Sequence, residues 1–142
     1  MNYKPPTLER TQPTVSHLSD QLPLSILVAE DNVINQKLLV SILELQGYSP
    51  DIVADGNEVL YAIVEKNYDL ILMDIQMPEL GGEETTQKVK NLLQENSPKI
   101  IAVTAYAMAG DREKYLKAGM DGYLSKPFKI HELIREIKRV MN

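Results

Sequence analysis

From Leu24 onward the chain alternates five times between a short apolar run and a longer segment of helical period, and no other feature restricts its fold so tightly. The runs are Ile26-Leu27-Val28-Ala29, Ile52-Val53, Leu70-Ile71-Leu72-Met73, Ile100-Ile101-Ala102-Val103 and Gly122-Tyr123-Leu124. The segments that follow them span 33–46, 57–65, 83–94, 111–118 and 130–141. Short β-branched or leucine-rich runs suit strands buried on both faces. The longer segments each carry one apolar stripe. In the last, Ile130, Leu133, Ile134, Ile137 and Met141 share a face, with Glu132, Arg135, Glu136 and Lys138 expected to face away. Gly47 and Gly119 stand where helices would end on a left-handed residue.

Five strand-then-helix units predict an α/β fold with a parallel sheet covered by helices on both faces. Right-handed crossovers leave few topologies. A flavodoxin-like (βα)5 arrangement with strand order 2-1-3-4-5 fits, and in such open sheets function sits at the carboxyl ends of the strands. Residues 1–23 lack the pattern. They hold Pro5, Pro6, Pro13 and Pro23 among polar residues and read as a flexible linker or tail ahead of a domain at 24–142. No functional role is expected for His17 there or for His131, and two histidines so placed make no metal site.

Composition removes several kinds of chemistry. The 142 residues include no cysteine, which excludes disulfides, thiolate metal sites and thiol nucleophiles. A formal net charge of -5 argues against a nucleic-acid surface. No apolar run approaches the length that crosses a bilayer, and the N-terminus lacks the apolar core of a signal peptide. These features lead to an expectation of a cytoplasmic domain without direct membrane contact.

The positions just past each strand make a short roster. The first strand ends in Glu30-Asp31, the third in Asp74, the fourth in Thr104 and the fifth in Ser125-Lys126-Pro127. With strands one and three adjacent, three carboxylates converge beside a hydroxyl and an ammonium. Close carboxylates repel unless a cation intervenes, and Mg²⁺ takes oxygen ligands of this kind. Lys126 and Thr104 would clamp a bound phosphate. The set offers a metal seat, a nucleophilic oxygen and an anion clamp, the requirements for phosphoryl transfer to a carboxylate. Taken singly, Asp31 or Asn32 could be a helix cap, Lys126 a surface lysine and Thr104 a strand terminus. Their coincidence at one sheet edge favours the joint reading.

The segments Ile26-Leu27-Val28-Ala29-Glu30-Asp31-Asn32, Leu72-Met73-Asp74-Ile75-Gln76-Met77-Pro78, Val103-Thr104-Ala105 and Ser125-Lys126-Pro127-Phe128 resemble the four signatures of response-regulator receiver domains. The resemblance covers about 24–141. It implies that Asp74 accepts a phosphoryl group from a phosphohistidine on a histidine kinase dimerisation domain or a histidine phosphotransfer protein. It further implies Mg²⁺, with Mn²⁺ as an alternative, on Asp31, Asp74 and the Gln76 backbone carbonyl, and on Glu30 through water. Lys126, Thr104 and the Ala105 N–H would contact the phosphoryl oxygens, and Tyr123 would move between outward and inward positions; an ordinary half-buried aromatic is the alternative for Tyr123. The Lys126-Pro127 bond is expected to be cis, and the chain is expected to catalyse only its own phosphorylation and slow dephosphorylation.

Two departures accompany the resemblance. Gly81-Gly82 stands where many relatives have Asp-Gly, and Glu30-Asp31 replaces a common Asp-Asp. The stretches 30–36 and 118–128 look most like receivers of hybrid sensor histidine kinases, so a C-terminal receiver of a longer protein and a free single-domain regulator both fit, monomeric when isolated. The expected docking surface is Ile34, Asn35 and Leu38 with Pro127 and Phe128, although Leu38 could instead be core. Three rivals remain. A haloacid-dehalogenase-type phosphohydrolase would want an acid where Gln76 stands. A flavodoxin-like cofactor binder would want a phosphate loop where Glu30-Asp31 stands. An interaction module without phosphate acceptance is the third.

Overall fold

A computed structural model describes residues 17–105 and 108–142. The five expected strands form one parallel sheet: β1 (Ile26–Ala29), β2 (Asp51–Val53), β3 (Leu70–Asp74), β4 (Lys99–Thr104) and β5 (Gly122–Ser125), in the order β2-β1-β3-β4-β5. Among the described residues six α-helices accompany them, α1 (Leu18–Gln21), α2 (Val33–Leu45), α3 (Gly56–Glu65), α4 (Gly82–Leu93), α5 (Asp111–Lys117) and α6 (Ile130–Met141), with a 3-10 turn at Gln94–Asn96 after α4.

The doubly buried strands follow from the side-chain alternation of an extended chain. Ile26, Val28, Leu70, Leu72, Ile101 and Val103 point to one side, where Leu39, Ile42 and Leu43 of α2 and Leu133, Ile137 and Val140 of α6 meet them. Leu27, Ala29, Ile71, Met73, Ile100 and Ala102 point to the other, against Val59 and Ile63 of α3, Val89 of α4 and Tyr115 of α5. The apolar runs of β1, β3 and β4 therefore serve two cores and have no polar face, whereas β2, expected to be buried on both faces, lies at the sheet edge with Ile52 exposed and only Val53 packed on a core. Gly47 and Gly119 end α2 and α5 with positive φ, and the Lys126-Pro127 bond is cis.

Two expectations change. The tail assigned to 1–23 is too long: 1–16 lie outside the described residues, but α1 belongs to the folded body. Leu18 is buried in the α2–α6 core, with Leu22 and Leu24 packed against it. The Ser19 N–H donates to the Gln46 carbonyl at 3.0 Å, and the Tyr48 hydroxyl donates to the Leu22 carbonyl at 2.7 Å. Apolar burial and two satisfied backbone groups hold a segment too short to show helical period. Glu136 is the second correction. Instead of facing away it is buried, because β5 is an edge strand and its outward Tyr123 N–H needs an acceptor. Glu136 Oε2 supplies it at 2.8 Å. The buried stripe of α6 is turned accordingly, with Val140 inside and Ile130 largely exposed.

Candidate phosphoacceptor site

Parallel pairing of β1 and β3 assembles the carboxylates. The last register pair is Ala29 with Met73, so the next residue on each strand, Glu30 and Asp74, stand side by side. They continue the rows Ile26-Val28 and Leu70-Leu72 and so share a face. Both are buried. Asp31 is exposed, and one oxygen each from Glu30, Asp31 and Asp74 lie within 4.8 Å of one another. Capping of α2 does not consume Asp31: the Asn32 side chain accepts from the Asn35 N–H at 3.0 Å and does that work.

Lys126 reaches the cluster from the end of β5, whose backbone is pinned there by Lys126 N–H donating to the Thr104 carbonyl at 2.7 Å. Its ammonium lies 2.5 Å from Glu30 Oε1. This contact fixes the protonation pattern. Burial pushes the Asp74 carboxyl up, and the Glu30 carboxylate beside it pushes the same way, to about 7. For Glu30 burial also acts upward, but hydrogen bonds with Asp74 and Lys126, the Lys126 charge and the Asn32 N–H together hold it below its ordinary value. Two carboxylates in one low-dielectric pocket cannot both stay ionised with a single ammonium nearby. A hard divalent cation is the group that relieves such a set. Three carboxylate oxygens within reach of one point, open to solvent through Asp31, fit Mg²⁺.

Of the remaining expected residues, Gln76, Thr104 and the groove residues stand beside this cluster, whereas Tyr123 packs on the other face of the sheet. The Gln76 N–H donates to Asp74 Oδ1 at 3.2 Å, which places the loop backbone against the carboxylate. Thr104 is buried at the end of β4, one residue past the Asp74–Val103 register pair. Tyr123 is half-buried and its ring stacks on Tyr115, with centroids 5.8 Å apart. Beside the carboxylates a groove of about 430 Å³ is lined by Asn35, Leu38, Leu39, Ala105, Lys126, Pro127 and Phe128. Leu38 is 54% exposed and Ile34 77% exposed, so neither is a core residue. A hollow of about 500 Å³ at the opposite pole is lined by Lys66, Tyr68 and Asp69. Its charges are already engaged: Lys66 and Tyr68 bind Asp51, and Asp69 accepts from the Ser25 N–H.

Sequence reasoning missed Gln36, whose side-chain amide donates to the Glu30 carbonyl at 2.6 Å and ties α2 to the end of β1. A glutamine one turn into a helix carries no signal that would have marked it.

Residues 26–138 match the family described as the response regulator receiver domain. The chain is 46% identical over 116 residues to hybrid signal transduction histidine kinase I of Dictyostelium discoideum; the match covers 77% of this chain and 7% of that protein. Among solved structures it resembles the receiver domain of a sensor histidine kinase from Pseudomonas aeruginosa PAO1, which holds a magnesium ion in its active-site cleft. The TM-score is 0.75 at 42% identity, over 83% of this chain and 97% of that one. It also resembles the receiver domain of Ssk1 from Saccharomyces cerevisiae, solved with the histidine phosphotransfer protein Ypd1. There the TM-score is 0.74 at 32% identity, over 81% of this chain and 86% of that one. Among the described residues no helix is long and apolar enough to cross a membrane.

Proposed function

The chain belongs to the response regulator receiver family of two-component signalling, and from that premise we propose that the folded domain, α1 included, acts as a phosphoacceptor switch with Asp74 as the phosphorylated residue. The donor is a phosphohistidine on a histidine kinase dimerisation domain or a histidine phosphotransfer protein. One Asp74 carboxylate oxygen forms a bond to phosphorus as the bond from phosphorus to the imidazole nitrogen breaks, and the electron pair of that bond stays on the imidazole. Asp31, Asp74 and the Gln76 carbonyl would hold Mg²⁺ or Mn²⁺, with Glu30 acting through water. When bound, the cation supplies the positive charge that lets the carboxylates ionise together.

The chain's own groups do the rest. Lys126 moves from Glu30 to the new phosphoryl oxygens, where its charge is better used once Glu30 has another cation. The Thr104 hydroxyl and the Ala105 N–H donate to the same oxygens, and Tyr123 follows Thr104. Ile34, Asn35 and Leu38 with Pro127 and Phe128 receive the donor protein. Water later attacks the acyl phosphate slowly, so the domain carries phosphate for a time and is not a turnover enzyme. The observation that carries this reading is the adjacency of Glu30, Asp31 and Asp74, with Lys126 already seated on the cluster.

The test is an intact-mass measurement after incubation with Mg²⁺ and a small acyl-phosphate donor. The protein should gain one phosphate, and Asp74→Asn should gain none. An unmodified wild-type mass, or a gain that persists in Asp74→Asn, would overturn the assignment and favour an interaction module.

A further inference from the structure

One expected metal ligand is a backbone carbonyl, that of Gln76, and a carbonyl goes wherever its peptide plane is held. The loop that carries it is tied at both ends. The Ile75 N–H donates to the Val103 carbonyl at 3.3 Å, and the Gly82 N–H returns to the Ile75 carbonyl at 3.0 Å. Between them Leu80 N–H donates to the Pro78 carbonyl at 2.8 Å across Glu79, which has φ +68. That is a γ-turn of the strained, positive-φ kind. Thr85 Oγ1 then bonds the Gly81 carbonyl at 2.7 Å and fastens the loop to α4.

The two glycines at the start of α4 differ sharply in their surroundings. A Cβ on Gly81 would meet only the Ile75 carbonyl oxygen, at an ordinary 3.6 Å. A Cβ on Gly82 would lie 2.7 Å from the Asp74 carbonyl oxygen and 2.9 Å from Ile75 Cα. Both are backbone atoms and cannot swing aside. Gly82 is not in the left-handed region, so space rather than conformational freedom is what its position demands.

We infer that Gly82 is a positioning residue for the Asp74 site: lacking a Cβ, it seats the first turn of α4 on the Asp74–Ile75 peptide and so fixes the Asp74 carboxylate and the Gln76 carbonyl relative to each other. This rests on the phosphoacceptor reading above. Ordinary contact begins at 3.4 Å, so a methyl group there displaces the loop backbone by more than half an ångström. Binding constellations hold their function within about 0.5 Å. The loss in cation affinity is therefore placed at about 10–100-fold, the range for outer-sphere supports of metal ligands.

The experiment titrates Mg²⁺ into the full 142-residue chain and follows amide chemical shifts for wild type, Gly81→Ala and Gly82→Ala. The same three proteins are labelled with a small acyl-phosphate donor over a range of Mg²⁺ concentrations. Gly82→Ala should need about 10–100-fold more Mg²⁺ for half-saturation in both measurements. Its labelling rate at saturating Mg²⁺ should be much less affected, and Gly81→Ala should match wild type. Reduced stability alone cannot produce this result, because a chain that is still mostly folded keeps its affinity within a factor of about two. Wild-type affinity in Gly82→Ala, an equal loss in Gly81→Ala, or loss of the far-UV circular dichroism of Gly82→Ala would overturn the inference. In the last case the contact supports the core rather than the site. A wild-type protein that binds Mg²⁺ but takes no phosphate would overturn the phosphoacceptor reading alone, while one that does not bind Mg²⁺ would overturn both.

Discussion

Replacing Glu136 with alanine tests whether a buried carboxylate closes the free edge of the sheet. Oε2 accepts the Tyr123 N–H at 2.8 Å. Arg139 donates to Oε1 at 2.8 Å and to Oε2 at 3.0 Å, and Arg112 lies 3.6 Å away. Both guanidinium groups are about half exposed, so screening leaves each pair worth about 0.2–1 kcal/mol. The hydrogen bond to the Tyr123 backbone contributes more. Hydrogen bonds to a charged group are worth about 1.5–3 kcal/mol, and deletion also strands the Tyr123 donor. Glu136→Ala should therefore cost about 2–3 kcal/mol. For a domain of this size that is a fall of roughly 6–12 °C in Tm. Glu136→Gln keeps an acceptor for Tyr123 and should cost about 1 kcal/mol, and Arg139→Ala should cost less than Glu136→Ala. Burial acts to raise the Glu136 carboxyl, but Arg139, the Tyr123 N–H and Arg112 outweigh it and hold the group below its ordinary value of 4.5. Its stabilisation is then present above that pH and lost as pH falls through the lower folded value, so wild type and Glu136→Gln should converge in acid. Urea unfolding from pH 3 to 7 measures all of this. A Glu136→Ala protein as stable as wild type, or an Arg139→Ala protein equally destabilised, would refute the dominance of the edge hydrogen bond.

Asp74 predicts the opposite pH trend without metal. Its carboxyl rises from 3.8 to about 7 on folding, so its contribution to stability is full below the lower value and lost as pH climbs through the upper one. Thermal unfolding in EDTA should show that decline, excess Mg²⁺ should flatten it and Asp74→Asn should remove it; parallel curves for wild type and Asp74→Asn would contradict the coupling. Ile34→Asp, at a side chain 77% exposed, should leave stability within about 0.5 kcal/mol. It should slow transfer from a phosphohistidine protein about tenfold and spare labelling by a small acyl phosphate; rapid-quench kinetics with both donors separate the two effects. Gly47→Ala should destabilise by about 1–3 kcal/mol in denaturant titration, because φ is +92 there and a Cβ would lie on Ser19.

The central strands were legible because β1, β3 and β4 each carry a short apolar run buried on both faces, and the site was legible because its side chains follow closely on the strand runs. Glu30 and Asp74 needed only the pairing of β1 with β3 to become neighbours. Glu136 was illegible for the converse reason: a helical period shows which face a residue takes, while the Tyr123 N–H that draws Glu136 inward comes from a different element. Leu18 and Leu22 gave no period because α1 is a single turn inside a proline-containing segment. Gly81 and Gly82 are the same letter twice, and only the backbone packed against the second separates them. For Leu38, helical spacing allowed both core and surface, and the rotation of α2 about Asn32 decided it.

The seat of α1 gives the molecule a polarity. Its contacts are with Gln46 and Tyr48, just beyond α2, while Asn32 at the other end of α2 borders the carboxylates. The 13 residues of α2 separate these ends by about 20 Å at 1.5 Å per residue. At residue 17 the described chain therefore enters the folded body at the pole away from the carboxylates. The carboxylate edge, with Asp31 exposed, lies at the opposite end, as the pins of a plug lie opposite its cable.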